Sequence, residues 1–232
     1  MNRTTVLAIL FALGIHMAAN GAAPTPAESV ARLKAGNARF VANPSEALPV
    51  DAARRTALAK GQTPFATVVS CADSRVPPEV IFRAGLGDLF VIRAAGHVAD
   101  HSVLASVEYA AEHLHVPLVV VMGHEMCGAV KAAVETPAGT SLGPNLDYLV
   151  KAIRPAVART AAHPSETRLR AAILENVEET INDLLTKSAI LRHLSSTDQV
   201  KLVGAYYELA TGRVHFSEIV HVPAKGATAA TH

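Results

Sequence analysis

Three short, almost purely apolar runs predict the buried strands of this chain. They occupy residues 65–70, 89–92 and 118–122, are rich in β-branched side chains and lack the alternation of a strand with one solvated face. Residues 102–115, between the second and third run, repeat apolar side chains every three or four positions, which indicates a helix. Strand, helix and strand in this order predict an α/β fold with a central, mainly parallel β-sheet flanked by helices.

Helical periodicity continues on both sides of this unit. Residues 26–43 predict an N-terminal helical arm that grasps a partner subunit, and further helices are predicted at 51–60, 129–135, 145–160 and 166–187. Near the C-terminus, two short runs flank Thr211-Gly212 and predict strands joined by a turn, at residues 201–207 and 213–216. No repeat or linker divides the sequence, so residues 23–232 are predicted to form a single domain, ending in a loose tail over 223–232.

The first 22 residues have the order of a secretory signal peptide. A short cationic start at Met1-Asn2-Arg3 precedes an apolar run over residues 6–18 and small residues over 19–23. The apolar run is too short to span a bilayer. We therefore predict that residues 1–22 are removed on export and that the mature protein is periplasmic or secreted, with no stable membrane span. An uncleaved anchor and an apolar N-terminal helix are the alternatives.

Composition and charge narrow the class of partner. The 232 residues are 50% hydrophobic and carry a formal net charge of +1, as in an ordinary globular protein. No run of Lys or Arg forms a basic stripe, which argues against nucleic acid or an anionic membrane surface as a partner. This composition favours a small molecule.

The chain has two cysteines, and each lies near the end of a predicted strand. Cys71 directly follows the first strand, while His124 and Cys127 follow the third. Ligand sites in parallel sheets lie beyond the carboxyl ends of the strands, where these side chains are expected to meet. Two thiolates and one imidazole form the three-ligand shell of a catalytic Zn²⁺ with an open fourth position. In an exported protein the two cysteines also fit a disulfide, although their context favours the metal.

Asp73 and Arg75 follow Cys71 at alternating positions of an extended segment. Side chains two residues apart in such a segment share one side, so the guanidinium can hold the carboxylate in a bidentate pair. A carboxylate held in this way stays ionised and only accepts hydrogen bonds, which suits it to orient a zinc-bound hydroxide. A structural ion pair beside the strand end is the alternative interpretation.

Four segments resemble signatures of the β-class carbonic anhydrases: residues 71–79 (CADSRVPPE), 87–96 (GDLFVIRAAG), 123–128 (GHEMCG) and 207–212 (YELATG). The resemblance implies that Cys71, His124 and Cys127 bind zinc and that Asp73 and Arg75 form a catalytic dyad. It further implies reversible hydration of carbon dioxide to bicarbonate and a proton, by a zinc-bound hydroxide that the dyad orients. A homodimer or homotetramer is the assembly that the family likeness implies.

The resemblance extends to three substrate-binding residues. Gln62 is expected to hydrogen-bond the substrate, and Phe90 to form an apolar wall of the CO2 pocket. Gly128 is expected to allow close backbone approach beside the metal.

The sequence also departs from the family pattern. His97 stands where the family usually has asparagine, and its ring is either a proton relay or a tolerated substitution. His101 and Glu108 are the other candidates for a relay. The chain has no tryptophan, which argues against the bicarbonate-regulated pocket of some family members.

Two other functions remain open at this point. The first is a CS2 or COS hydrolase on the same scaffold, and the second is a non-catalytic protein that binds zinc or an anion, with Asp73 occupying the open ligand position of the metal.

Two thiolates neutralise more of the zinc charge than imidazoles do, so they should lower the pKa of a zinc-bound water less. Hydration activity is therefore expected to rise on the alkaline side of neutrality.

Overall fold

The computed structural model describes residues 23–220. Its centre is a five-stranded sheet with the strand order β2-β1-β3-β4-β5. The strands span β1 (Ala66–Ser70), β2 (Leu89–Arg93), β3 (Leu118–His124), β4 (Lys201–Tyr207) and β5 (Val214–Val220). Strands β1 to β4 are parallel to their neighbours, and β5 is antiparallel to β4. The predicted α/β fold with a mainly parallel sheet is confirmed.

Helices cover both faces of the sheet. They are α1 (Pro26–Ala42), α2 (Ala52–Leu58), α3 (Pro78–Ile81), α4 (His101–Glu112), α5 (Gly128–Glu135), α6 (Pro144–Arg159), α7 (Ser165–Lys187) and α8 (Ala189–Ser196), with a 3-10 turn at Ala95–His97. The short helices α3 and α8 were not predicted. No helix among residues 23–220 is long and apolar enough to cross a membrane. The predicted signal peptide (residues 1–22) and the predicted C-terminal tail (residues 223–232) lie outside the described residues.

Alternate residues of the strands build two separate cores. Val68 belongs to the core that contains Leu33 of α1 and Ile153 of α6. Its neighbour Val69 belongs to the core that contains Val107 of α4 and Leu191 of α8. Each fully buried aliphatic side chain contributes about 1.5–3 kcal/mol relative to an exposed one. Burial on both faces explains why these strands lack alternation.

Strand β2 corrects the prediction that all three apolar runs are buried. Residues 89–92 are only half-buried and Arg93 is exposed. The reason is position, because β2 is an edge strand that pairs with β1 alone among the described strands. Its apolar residues therefore remain partly open along one side of the sheet.

Helix α1 is held against its own chain. It begins at a capping box formed by Thr25 and Glu28. The buried Asn37 amide donates to the carbonyls of Ile81 and Gly212 and accepts a hydrogen bond from the Val214 amide. These bonds tie the helix to α3 and to the turn between β4 and β5.

The strand register brings the predicted site together. Ser70 at the end of β1 lies opposite Met122 of β3. Cys71 follows Ser70 directly, and His124 is the last residue of β3, which runs two residues beyond the predicted strand. Both side chains are thus delivered to the carboxyl edge of two adjacent parallel strands.

Candidate metal centre

Cys71, His124 and Cys127 form a buried cluster at the carboxyl edge of β1 and β3. The ligand atoms of the three side chains lie within 4.8 Å of one another. Both cysteines are free, and their sulfur atoms are 4.0 Å apart. Two sulfurs bound to one tetrahedral zinc at about 2.3 Å each are separated by about 3.8 Å, whereas a disulfide requires about 2.05 Å. The geometry therefore favours two metal ligands over the disulfide alternative.

The His124 ring presents one nitrogen for a metal. Its Nδ1 lies 2.9 Å from the Glu125 carbonyl oxygen and must donate, since a carbonyl only accepts. This bond fixes the tautomer and leaves a lone pair on Nε2. Nε2 is buried and has no hydrogen-bond partner among the described residues. A lone pair isolated in this way fits a metal ligand.

A left-handed residue makes the turn that places Cys127. Met126 has φ of 53°, and the chain passes there from β3 into helix α5. Cys127 is the N-cap of α5, and the backbone amides of Ala129 and Val130 favour its thiolate form. The same turn explains how His124 and Cys127, three positions apart, face one point.

The two thiols titrate as a coupled pair. The Cys127 thiol donates to Cys71 and lowers the pKa of Cys71 to about 3, with a smaller contribution from the Gly96 amide. The pKa of Cys127 is raised, because its proton is shared with Cys71 and burial opposes a second negative charge. The pair alone therefore holds one negative charge. A divalent cation bound between the two sulfurs would release the second proton.

Asp73 and Arg75 form the predicted bidentate pair at the rim of the cluster. Arg75 donates through Nε to Asp73 Oδ1 at 2.9 Å and through Nη2 to Oδ2 at 2.7 Å. These bonds hold the pKa of the Asp73 carboxyl well below its usual range. Asp73 Oδ2 lies 3.9 Å from His124 Nε2. An ionised carboxylate thus borders the point to which the three ligand atoms converge.

Two further residues, Arg93 and Glu125, support the site and were not predicted from the sequence. Arg93 donates to the carbonyls of Cys71 and Asp73 and so fixes the loop that carries both. The Glu125 carbonyl accepts the hydrogen bond from His124 Nδ1, its amide donates to the Tyr207 carbonyl, and its carboxylate accepts a hydrogen bond from the Leu209 amide. Both residues lie within the family-like segments, Arg93 in 87–96 and Glu125 in 123–128, and this position in the sequence could have identified them.

His97 is enclosed rather than exposed. Its side chain is buried and desolvation lowers its pKa to about 4. A relay to solvent needs access to water, which His97 lacks in this chain. Of the other relay candidates, His101 is exposed, whereas Glu108 is half-buried and accepts a hydrogen bond from Ser188.

The substrate-binding candidates are divided between the two ends of the sheet. Gly128 begins α5 beside Cys127, and a Cβ added there would meet no atom within 4 Å, which leaves room for a small molecule. Gln62 is exposed and precedes β1, whose five residues span about 16 Å. Phe90 pairs with Thr67, four residues before Cys71, or about 13 Å along the strand. A single chain does not bring Gln62 and Phe90 to the cluster.

Comparison with known proteins gives a consistent result. The carbonic anhydrase family model matches residues 66–214. "Carbonic anhydrase 2" of Mycobacterium tuberculosis is 41% identical over 182 residues, which cover 78% of this chain and 87% of the relative. The "Carbonic anhydrase" of Mycolicibacterium smegmatis is 42% identical over 195 residues, with 78% and 88% covered.

Solved structures show the same likeness. The Coccomyxa β-carbonic anhydrase in complex with acetazolamide is similar with a TM-score of 0.68 and 25% identity, covering 75% of this chain and 80% of that one. A tetrameric β-carbonic anhydrase from Sordaria macrospora has a TM-score of 0.64 and 25% identity, covering 84% and 96%.

Proposed function

This chain belongs to the β-class carbonic anhydrase family, and on that premise we propose that it hydrates carbon dioxide reversibly at a zinc ion held by Cys71, His124 and Cys127. The observation that carries the proposal is the buried convergence of two free thiols and one lone pair of His124. Zinc in such a shell lowers the pKa of a coordinated water and supplies the nucleophile near neutral pH.

Asp73 orients the attacking water in this proposal. Its carboxylate stays ionised, so it accepts a hydrogen bond and directs the free lone pair of that oxygen toward carbon dioxide. Arg75 engages both carboxylate oxygens and keeps Asp73 from taking the open ligand position itself. Gly128 leaves open space beside Cys127 for the bicarbonate product.

A second copy of the chain completes the substrate pocket in the proposed enzyme. Gln62 and Phe90 lie too far from Cys71 to act on the metal centre of their own chain. Phe90 lies on the half-exposed edge strand β2, where another chain can cover it. We therefore propose a homodimer or homotetramer in which these two residues serve the neighbouring site.

Export remains part of the proposal. The basic, apolar and small segments of residues 1–22 support cleavage near residue 23 and a periplasmic or secreted location. N-terminal sequencing of the protein from a periplasmic extract should start near residue 23. An intact Met1 on protein from the cytoplasmic fraction would contradict export.

A direct assay separates the candidate activities. The zinc-loaded chain from residue 23 onward is tested by stopped flow for hydration of CO2 and, in parallel, for hydrolysis of CS2 and COS. We expect CO2 hydration to dominate and its rate to rise between about pH 6 and 9 with buffer in excess. Preference for CS2 or COS would favour the hydrolase, and inactivity of the zinc-loaded protein would favour the non-catalytic alternative.

A further inference from the structure

The 3-10 turn at Ala95–His97 contacts the metal centre through a backbone amide. The Gly96 N–H donates to Cys71 Sγ at 3.3 Å, and both atoms are buried. Gly96 has φ of +63° and His97 of +48°, so two successive residues adopt the left-handed conformation. That conformation is unfavourable for a residue with a side chain, such as His97, so the turn needs support from its surroundings.

Helix α7 supplies that support through two polar residues one helical turn apart. Asn176 donates from Nδ2 to the Gly96 carbonyl at 2.8 Å and to His97 Nε2 at 3.0 Å. Thr180 donates from Oγ1 to the His97 carbonyl at 3.3 Å. Asn176 is only 2% exposed, and water cannot readily replace its hydrogen bonds.

We propose that Asn176, assisted by Thr180, is a positioning residue that holds the Gly96 amide on the sulfur of Cys71. The amide withdraws electron density from the thiolate and so sets how strongly that sulfur donates to the metal. Hydrogen bonds of this outer shell orient and tune metal ligands. The inference rests on the zinc site proposed above.

The path is short and contiguous. The Asn176 side chain donates to the Gly96 carbonyl, and the Gly96 amide donates to Cys71 Sγ. The turn is also closely packed, since a Cβ at Gly96 would lie 2.9 Å from Ile153 Cδ1 and 3.1 Å from Ala129 Cβ. Without Asn176, packing would still enclose the turn, but no amide would fix the direction of its peptide groups.

The matched control is the other buried asparagine described above, Asn37. Asn176 makes two hydrogen bonds and Asn37 makes three, but those of Asn37 tie α1 to α3 and to the β4–β5 turn. Asn176→Ala and Asn37→Ala should therefore destabilise the fold similarly. Only the first should change the metal centre.

Cobalt substitution reports on the sulfur directly. The wild-type chain and both variants are loaded with Co²⁺, and the sulfur-to-cobalt charge-transfer absorption and the Co²⁺ affinity are measured. In Asn176→Ala the band should move to longer wavelength, because a thiolate without its N–H donor is easier to oxidise. The Co²⁺ affinity should fall about 10-fold or more, as other outer-shell changes do. Asn37→Ala should retain the wild-type band and affinity.

Two outcomes would overturn the proposal. The first is an unchanged band and affinity in folded Asn176→Ala, and the second is an equal change in Asn37→Ala. If Asn176→Ala does not fold, Thr180→Val decides, because it removes one hydroxyl at nearly constant volume: a smaller shift in the same direction supports the proposal, and a wild-type spectrum refutes it. Failure of the wild-type chain to bind Co²⁺ would instead refute the metal site itself.

Discussion

Arg75 determines where the Asp73 carboxylate points, because its side chain engages both carboxylate oxygens. The Arg75 backbone amide adds a third hydrogen bond to the pair, which Asp73 Oδ1 accepts. Arg75 Nη2 also donates to the Met126 carbonyl at 3.4 Å. The guanidinium thereby joins the loop after β1 to the turn that carries Cys127. Loss of this group should free Asp73 to approach the ligand position next to His124.

Arg75→Ala should lower CO2 hydration by about 100-fold, the typical effect of misplacing a catalytic group, while the protein keeps its metal. Arg75→Lys should recover part of the activity, since lysine preserves the charge but cannot form the bidentate pair. Activity and zinc content are measured on the same samples. Loss of zinc in parallel with activity would mean that the pair is structural, as the alternative interpretation holds.

His97 should make the fold sensitive to acid. Its pKa of about 4 in the folded protein lies below the ordinary value of 6.5, so the unfolded chain binds more protons between those values. The free energy of unfolding should therefore fall as pH drops from 6.5 to 4, by up to about 3 kcal/mol for this group. His97→Asn should lose less stability over the same range.

Urea unfolding of the wild type and of His97→Asn at several pH values checks this expectation. The comparison isolates His97, since both proteins retain every other titrating group. Parallel pH dependence of the two proteins would show that His97 is not the acid-sensitive group.

At the scale of residues, chemistry visible in short motifs could be predicted and contacts across the chain could not. Cys71, His124 and Cys127 carry a recognisable ligand set, and their strand-end positions follow from the apolar runs. Asn176 lies 80 residues from Gly96, within an ordinary amphipathic helix. Nothing in its local sequence signals that it supports a turn elsewhere.

At the scale of elements, α1 docks because one position lacks a side chain. A Cβ on Gly36 would lie 1.9 Å from the Phe82 carbonyl oxygen, which belongs to the backbone after α3. Gly36→Ala should therefore displace the helix and lower the free energy of unfolding by about 3 kcal/mol. Helix propensity alone predicts the opposite, a gain of about 1 kcal/mol.

Thermal or urea unfolding distinguishes the two expectations for Gly36→Ala. Ala38→Ser, at an exposed position of the same helix, is the control and should change stability by no more than about 0.5 kcal/mol. A stabilised Gly36→Ala would show that α1 is not packed closely against α3.

Elements with a clear apolar run or helical period were predicted. Very short elements, and features that depend on the arrangement of the sheet, were not. The apolar runs located β1 and β3, because both are buried on two faces. Helix α3 has four residues, too few to show a helical period. The half-exposure of β2 could not be predicted either. The sequence of a strand does not determine its place in the sheet, and so it does not show which strand lies at the edge.

At the scale of the whole molecule, the separation of Gln62 and Phe90 from the ligands makes a prediction about assembly. In mixtures of two inactive variants, Asp73→Asn and Gln62→Ala, a mixed pair of chains should contain one site with both native residues. Co-expression should then restore about a quarter of the wild-type activity per site, the random share of such sites. The mixture is compared with each variant alone.

Absence of recovery in the mixture, with mixed oligomers verified by mass spectrometry, would contradict sharing of the site between chains. A single-chain mass of 24.3 kDa for the unprocessed active protein in light scattering would contradict it as well. Recovery would show that Gln62 of one chain serves the metal centre of another.

Metal content tests the central claim most directly. Elemental analysis of the purified, active protein should find one zinc per chain, removal of zinc by a chelator should abolish CO2 hydration, and added zinc should restore it. A protein that hydrates CO2 with no bound metal, or one whose peptide map joins Cys71 to Cys127 in a disulfide, would contradict it.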